Sequence, residues 1–284
     1  MKAKIFLLLL RFKLQLRVIW GKNIDMLIVV SPAKALDFES PLATQKHSQP
    51  VMLRRSKELV SVLSTKTPED LRSLMSISDS LAELNFERYQ DWSTPFTTEN
   101  SRPAVLSFSG DTYVGLNAAA KFSERDFSHA QKTLRILSGL YGVLRPLDLI
   151  QPYRLEMGSK LETKSAKDLY GFWGNEITRK LNADLGESPG EAMLVNLASN
   201  EYFKSVNPEE IKGTLVTPTF LDRKEGGDYK MVSFYAKRAR GAMASWIIRN
   251  RVKAAKEFRD FDEDGYRFNN DRSELHAPVY LRSN

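Results

Sequence analysis

Cysteine is absent from this 284-residue chain, and histidine is scarce, with His47, His129 and His276 as the three imidazoles. Without a thiol there can be no disulfide, thiolate metal site, cysteine nucleophile or thiol redox switch. The histidines have no HxxxH spacing, which argues against a histidine-built metal centre. We therefore expect no metal and no cofactor. A chain without cysteine fits the reducing cytoplasm, and we expect this protein there.

The sequence also lacks the familiar catalytic motifs and any long hydrophobic run. It contains no Gly-rich phosphate loop, nucleophile elbow or HExxH, so no residue is predicted to be catalytic. The apolar run Ile5–Leu10 is too short for a signal core or a bilayer span, and basic residues interrupt the chain directly after it. We expect residues 1–25 to be an N-terminal extension, either disordered or a misassigned leader. Residues 26–284 are expected to form one compact domain.

Positive charge is concentrated in one part of the chain. The formal net charge is +7, and residues 1–25 contribute +5 of it, so residues 26–284 carry +2. Eight cations and no acid lie between Tyr229 and Lys256, which leaves the rest of this body at about −6. A solvated face normally mixes signs, whereas a concentrated basic segment is the footprint expected for a phosphate backbone. Simple solvation is the alternative explanation.

Short apolar, β-branched runs predict the strands of an α+β protein. These runs are Leu27–Val30, Ala104–Phe108, Met193–Leu197, Thr214–Leu221 and Tyr229–Tyr235. Helical patterns separate most of them, whereas the paired glycines of DRKEGGD favour a hairpin between the last two. We therefore predict a mixed sheet with surrounding helices rather than a doubly wound sheet.

The basic segment contains a predicted helix, Ala236–Arg251. One apolar stripe, expected to face the core, consists of Ala239, Met243, Trp246 and Ile247. On the opposite side Gly241, Ala244 and Ser245 form a strip of small residues that a phosphate backbone can approach closely. The predicted DNA-binding residues at this helix are Lys237, Arg238, Arg240, Arg249, Arg251 and Lys253. The alternative is a helix buried on two sides whose arginines pair with acids elsewhere.

Four polar segments follow predicted strands or a predicted helix end. They are SPAKALDF (31–38), SFSGDTYVGL (107–116), LSGLYGVLRPLDLIQPYRLEMG (137–158) and NLASNEYFKSV (196–206). Glycines and prolines punctuate the third segment, which predicts a helix end that continues as an ordered loop. Strand ends of this kind commonly line clefts. The predicted cleft residues are Lys34, Asp111, Arg145, Asp148, Tyr153, Arg154, Glu156 and Lys204, unless they merely brace the loops.

These segments, together with SFYAKRARG (233–241), resemble the bacterial YaaA family of peroxide-stress proteins. The resemblance runs from Met26 to about Tyr266, and the segment 137–158 is its most specific part. It implies a cytosolic protein that limits damage from hydrogen peroxide and free iron. It also implies an unusual α+β fold with a positively charged cleft, binding to double-stranded DNA, and no established catalytic activity.

The family resemblance further implies a helix-hairpin-helix element, which grips DNA backbone through main-chain amides. The best candidate is TPEDLRSLMSISDSLAELNFERYQDW, residues 67–92. Thr67 and Asp70 resemble a capping box, Pro68 stands at the first helical position, and Ser78 is a candidate cap of the second helix. The hairpin SISDS lacks the glycines that let phosphate approach backbone amides. A plain helical pair packed by leucines and methionine is therefore the alternative.

Two functions from different classes are compatible with these patterns. The first is a sequence-tolerant DNA-binding protein that protects DNA under oxidative stress, because neutralising phosphates requires no base readout. The second is an enzyme acting on a nucleotide or nucleic acid end, whose carboxylates hold a metal ion. Its candidate acids are Asp37, Asp111, Asp148, Glu156 and Glu201. Convergence of these acids in the structure would favour the enzyme, and a basic groove without it would favour binding alone.

Overall fold

Short strands and helices make up the part of the chain described by this computed structural model, residues 26–186, 192–224 and 227–283. The strands are Met26–Val30 (β1), Ala35–Leu36 (β2), Arg102–Pro103 (β3), Phe108–Ser109 (β4), Leu134–Ser138 (β5), Gly142–Leu144 (β6), Leu149–Ile150 (β7), Met193–Leu197 (β8), Thr214–Val216 (β9), Thr219–Arg223 (β10), Arg267–Phe268 (β11) and Val279–Ser283 (β12). The predicted extension at residues 1–25 lies outside the described residues.

The α-helices surround these strands. They are Leu53–Leu63 (α1), Pro68–Met75 (α2), Asp79–Asp91 (α3), Ala104–Ser107 (α4), Asp111–Leu116 (α5), Ala118–Lys121 (α6), Glu124–Thr133 (α7), Leu169–Trp173 (α8), Glu176–Leu185 (α9), Asn200–Phe203 (α10) and Ser233–Asn250 (α11). Short 3-10 helices span Pro208–Glu210, Ala255–Asp260, Glu263–Gly265 and Asn270–Arg272. Among the helices of the described residues, none combines the length and apolar character needed to cross a membrane.

A five-stranded mixed sheet in the order β6-β5-β1-β8-β9 forms the centre of the fold. β1 pairs in parallel with β5 and β8, β8 pairs in parallel with β9, and β6 runs antiparallel to β5 at the edge. Every residue of β1 and β8 is buried, as expected for near-continuous apolar runs covered on both faces. These strands and the helices around them confirm the predicted α+β fold class.

A smaller sheet near the C-terminus has the order β10-β12-β11. Its packing is aromatic: Phe220 stacks on Tyr280 with ring centroids 5.3 Å apart, and Phe261 packs edge-on to both. Trp246 of α11 also meets Phe261 edge-on, at 5.7 Å. Phe261 therefore contacts both α11 and the aromatic residues of this sheet.

Helix α11 lies against α5 at very close range. A Cβ added to Gly241 would lie 1.8 Å from the Thr112 carbonyl oxygen, and one added to Gly115 would lie 1.9 Å from the Arg238 carbonyl oxygen. Only the missing side chains allow the two backbones to approach so closely. Gly241, Ala244 and Ser245 are all buried, so the prediction that this strip is open to a phosphate backbone is wrong. Burial of Ala239, Met243 and Ile247, with Trp246 packed against the core, confirms the apolar stripe.

Five further predictions of local structure are wrong. Residues 104–107 form helix α4 rather than a strand, and residues 233–235 begin α11 rather than ending a strand. The run 214–221 is divided into β9 and β10, and the expected hairpin is reduced to one antiparallel bridge between Asp222 and Lys230. The segment 137–158 begins in strand β5 rather than at a helix end.

Helices α2 and α3 pack against each other, and their predicted caps are confirmed. The Thr67 side chain accepts a hydrogen bond from the Asp70 amide, and the Asp70 carboxylate accepts one from the Thr67 amide. Ser78 caps α3 by accepting a hydrogen bond from the Leu81 amide. Leu71 and Met75 are buried, whereas Leu81 and Leu84 are exposed. Recognition of DNA by this helical pair stays a prediction.

Candidate functional site

A cavity of about 340 Å³ opens at the carboxyl ends of β1 and β8. We call it the sheet-edge cavity. Its lining is formed by Ser31, Pro32, Ala33, Lys34, Ala35, Ser109, Gly110, Asp111, Thr112, Glu156, Leu197, Ser199, Glu201, Tyr202, Lys237 and Arg240. All four polar segments contribute to this lining, and α11 closes it. The chain goes from β1 to β5 on one side and later to β8 on the other, which makes this edge a topological switch point where ligands commonly bind.

The floor of the cavity is held by hydrogen bonds between the loops after β1 and β8. The Ser199 amide donates to the Ser31 hydroxyl at 2.8 Å, and that hydroxyl donates to the Ser199 hydroxyl at 3.2 Å. Tyr113 of α5 donates its hydroxyl to the Ser31 carbonyl oxygen at 3.2 Å. These hydrogen bonds join the loop after β1 to the loop after β8 and to α5.

Glu156 enters the cavity from the long loop and is only partly paired. Its Oε1 lies 3.3 Å from the Lys34 ammonium and 3.0 Å from the Arg154 guanidinium. Its Oε2 is buried and has no hydrogen-bond partner in the described part of the chain. A buried carboxylate oxygen without a donor is costly, so this atom favours a ligand that donates a hydrogen bond.

Glu201 lies on the same side of the cavity as Glu156. The Gly158 amide donates to its Oε1 at 3.0 Å, which connects the loop after β8 with the loop that bears Glu156. Burial raises the pKa of Tyr202, and the nearby carboxylates of Glu201 and Glu156 raise it further. That tyrosine therefore stays a neutral hydroxyl between two acids.

The arginines of the basic segment have different surroundings. Arg238 lies 3.4 Å from Asp264, Arg251 lies 2.7 Å from Asp126, and Arg249 forms an ion pair with Glu263. These contacts favour the alternative in which the arginines brace the fold. Phosphate binding by the same three residues stays a prediction.

Arg240 is the exception, because it lines the sheet-edge cavity without an acid partner. Burial lowers the pKa of its guanidinium, and no neighbouring carboxylate offsets that effect. Among the residues that the structure describes, it donates no hydrogen bond and forms no ion pair. The Arg240 side chain is therefore a partly buried cation without an acid partner in the described residues.

The lysines of the basic segment face solvent. Lys230, Lys237, Lys253 and Lys256 are all exposed, and none of them forms an ion pair within the described ranges. Lys237 also lies at the cavity mouth, one helical turn before Arg240. Four available positive charges thus lie along and on either side of α11.

Of the predicted cleft residues, the structure brings Lys34, Asp111 and Glu156 together in the cavity lining and places the others elsewhere. Asp148 is fully buried and accepts hydrogen bonds from Ser48 and Arg145, so this acid and Arg145 brace the loop. Tyr153 is buried against Ser138, with 2.6 Å between the hydroxyl oxygens.

The last two predicted cleft residues act from behind or beside the cavity. Arg154 does not line it but holds Glu156 in place. Lys204 is exposed, with its ammonium 4.9 Å from the centre of the Tyr170 ring. Neither residue contributes directly to the lining.

Of the acids proposed for an enzymatic metal site, Asp111, Glu156 and Glu201 line the sheet-edge cavity, whereas Asp37 and Asp148 lie outside it. Asp37 is bound in its own loop, where hydrogen bonds from Ser40 and Glu39 lower its pKa to about 2. Asp148 is sequestered by Arg145. Within the described ranges there is no group of three or more histidine or acidic side chains that could hold a metal ion.

Sequence reasoning missed the serine and threonine hydroxyls of the cavity. Ser31, Ser109, Thr112 and Ser199 all contribute to the lining. Their position at or just after the ends of strands β1, β4 and β8 is the signal that identifies them. Glu201 also lines the cavity, although the sequence pattern points to it only as a metal ligand.

The structure thus defines an α+β protein with a polar cavity at the carboxyl edge of its sheet and a basic helix beside that cavity. A family model described as "Peroxide stress protein YaaA" matches residues 26–272. Two relatives from Aliivibrio fischeri, of strains MJ11 and ATCC 700601 / ES114, are described as UPF0246 proteins. Each is 54% identical over 257 residues, covering 90% of this chain and 98% of the relative. The chain belongs to the YaaA family of peroxide stress proteins, which confirms the resemblance.

Proposed function

We propose that this protein binds double-stranded DNA through its backbone, without sequence preference, and so limits damage from hydrogen peroxide and free iron. The supporting observation is the set of four exposed, unpaired lysines in the described part of the basic segment, Lys230, Lys237, Lys253 and Lys256. Lysine binds phosphate as a point charge and requires no base contact. The absence of cysteine fits action in the cytoplasm.

The same charges suggest how DNA binding protects. DNA holds a layer of condensed cations, and a protein that neutralises phosphates releases them. Ferrous iron in that layer would produce radicals next to the backbone when peroxide arrives. Displacing it by lysine ammonium groups moves the reaction away from DNA.

The test of DNA binding compares two fourfold Lys→Gln variants. The first changes Lys230, Lys237, Lys253 and Lys256, and the matched control changes Lys57, Lys160, Lys164 and Lys167, which are also exposed and form no ion pair in the described residues. Both variants lose the same charge. Binding to a duplex of about 20 base pairs is measured by fluorescence anisotropy from about 50 to 200 mM salt, the range over which phosphate contacts weaken strongly.

The salt slope is the slope of log K for duplex binding against log salt concentration. In the first variant its magnitude is expected to fall by about three to four units, because each neutralised phosphate contributes about 0.9. The control is expected to keep most of the wild-type slope. Equal losses in the two variants would mean that only net charge matters and would contradict a localised DNA site. A plasmid-nicking assay with ferrous iron and peroxide should show protection by wild type and control, and less by the first variant.

A further inference from the structure

Two residues of opposite charge, Arg240 and Glu156, line the sheet-edge cavity, and each has a polar group without a protein partner in the described part of the chain. Arg240 is a guanidinium without an acid, and Glu156 Oε2 is a buried acceptor without a donor, in the described part of the chain. Folding normally pairs such groups, because each one left alone costs free energy. Two of them in one cavity indicate a ligand that supplies both missing partners.

Hydroxyl and ammonium donors share the cavity lining with Arg240. Lys237 stands one turn away on α11, and Ser109 and Thr112 contribute to the same lining from the segment around α5. A planar carboxylate accepts hydrogen bonds from fewer donors than a phosphate monoester does. The three phosphate oxygens accept charge-assisted and hydroxyl hydrogen bonds together. The donor set therefore fits a phosphate better than a carboxylate.

The acids of the lining constrain the rest of the ligand. The three lining acids, Asp111, Glu156 and Glu201, repel a purely anionic molecule but accept hydrogen bonds from hydroxyl or amino groups. A volume of about 340 Å³ is at the small end of the range for small-molecule sites. That size admits a sugar phosphate or a nucleoside monophosphate.

We propose that the sheet-edge cavity binds a hydroxyl- or amino-bearing phosphate monoester, with its phosphate at Arg240 and Lys237 and its donor group at Glu156. A phosphate monoester of this kind is present on a free nucleotide or sugar phosphate and at a phosphorylated strand end. The inference stands on the cavity alone and does not rest on binding of the DNA backbone.

The experiment uses the full chain and isothermal titration calorimetry. The probes are inorganic phosphate, adenosine, adenosine 5′-monophosphate, and a blunt hairpin duplex with or without a 5′-phosphate. Adenosine 5′-monophosphate is expected to bind more than about tenfold tighter than adenosine, because charge-assisted bonds to the phosphate are lost in adenosine. If only the 5′-phosphorylated hairpin binds more tightly than its unphosphorylated form, the natural ligand is a strand end. If the free nucleotide binds, the natural ligand is a small molecule.

Three variants separate the two halves of the site. Arg240→Gln is expected to weaken nucleotide binding more than about tenfold, whereas Arg240→Lys retains most of it because the charge remains. Glu156→Gln is expected to weaken binding of the nucleotide but not binding of inorganic phosphate, because inorganic phosphate does not use this acceptor. Arg179→Gln, at an exposed arginine of α9 outside the cavity lining, is the control and should leave binding unchanged.

Absence of binding by all phosphate-bearing probes at millimolar concentration would overturn the proposal, as would equal binding by wild type and Arg240→Gln. If Arg240→Gln does not fold, the comparison of Arg240→Lys with Glu156→Gln decides instead. Equal binding of the two hairpins, with no binding of the free nucleotide or inorganic phosphate, would reject this inference and leave the proposed function intact.

Discussion

Replacing Gly241 by alanine tests whether the small-residue strip of α11 is a buried contact or an open surface. In an exposed helix this change stabilises by about 1 kcal/mol, since alanine has the higher helix propensity. Here the new methyl carbon would lie 1.8 Å from the Thr112 carbonyl oxygen and 2.7 Å from the Leu116 amide nitrogen. Both are backbone atoms, so no side-chain rotation relieves the contact and α5 must move away from α11.

Overpacking of this kind costs about 3 kcal/mol at the upper end of its usual range. Subtracting the gain in propensity leaves a net loss of about 2 kcal/mol or more. For a domain of this size that loss lowers the melting temperature by about 4 to 8 °C. Differential scanning calorimetry and urea denaturation at neutral pH measure both quantities.

The control for this experiment is Gly227→Ala. A Cβ there would be 3.4 Å from the Lys224 carbonyl oxygen, an ordinary contact, so stability should change by less than about 0.5 kcal/mol. A Gly241→Ala protein that melts higher than wild type would refute the buried packing. Weaker DNA binding by such a stabilised variant would support the hypothesis that the small-residue strip is exposed and contacts phosphate.

Three further predictions concern the paired and unpaired charges and the core. Arg249→Gln breaks the partly buried ion pair with Glu263 and should cost about 1 to 3 kcal/mol in urea denaturation, whereas Arg240→Gln removes an unpaired cation and should cost nothing or stabilise. Trp246→Ala should cost about 3 kcal/mol, because it removes the edge-on contact of Trp246 with Phe261, which itself packs on the C-terminal sheet. Burial raises the pKa of Asp184, but Arg135 and Lys180 lower it more, so its folded pKa is below the unfolded one. The stabilisation is then complete above the unfolded pKa of about 4 and lost as pH falls through the lower folded pKa, so Asp184→Asn should be destabilised at neutral pH and approach wild type in acid.

The sequence predicted the parts of the fold that local pattern determines. The run at β1 and the run at β8 are continuous and apolar, and both are buried strands as expected. The capping box before α2 was visible as a residue pair and formed as such. Helix α11 was located correctly apart from its first turn, where Phe234 and Tyr235 have high strand propensity but continue the helix.

Tertiary contacts decided what local pattern left open. Nothing in Gly241 itself indicates that α5 crosses there, because a strip of small residues is equally suited to a helix contact and to an open surface. Arginine pairing depends on acids at Asp126, Glu263 and Asp264, which lie in other segments. Clustering of strand ends predicted a cleft, but only the structure shows that Asp148 is buried behind its loop instead of lining the cavity.

The most direct test of the central claim is the salt dependence of duplex binding by the unaltered chain. Two duplexes of equal length and unrelated sequence are titrated from about 50 to 200 mM salt. Backbone recognition by four lysines predicts parallel lines of log K against log salt, with a slope of about −3.6 or steeper, and affinities that agree within about threefold. Undetectable binding at the lowest salt, or a preference for one sequence of about a hundredfold or more, would contradict the account.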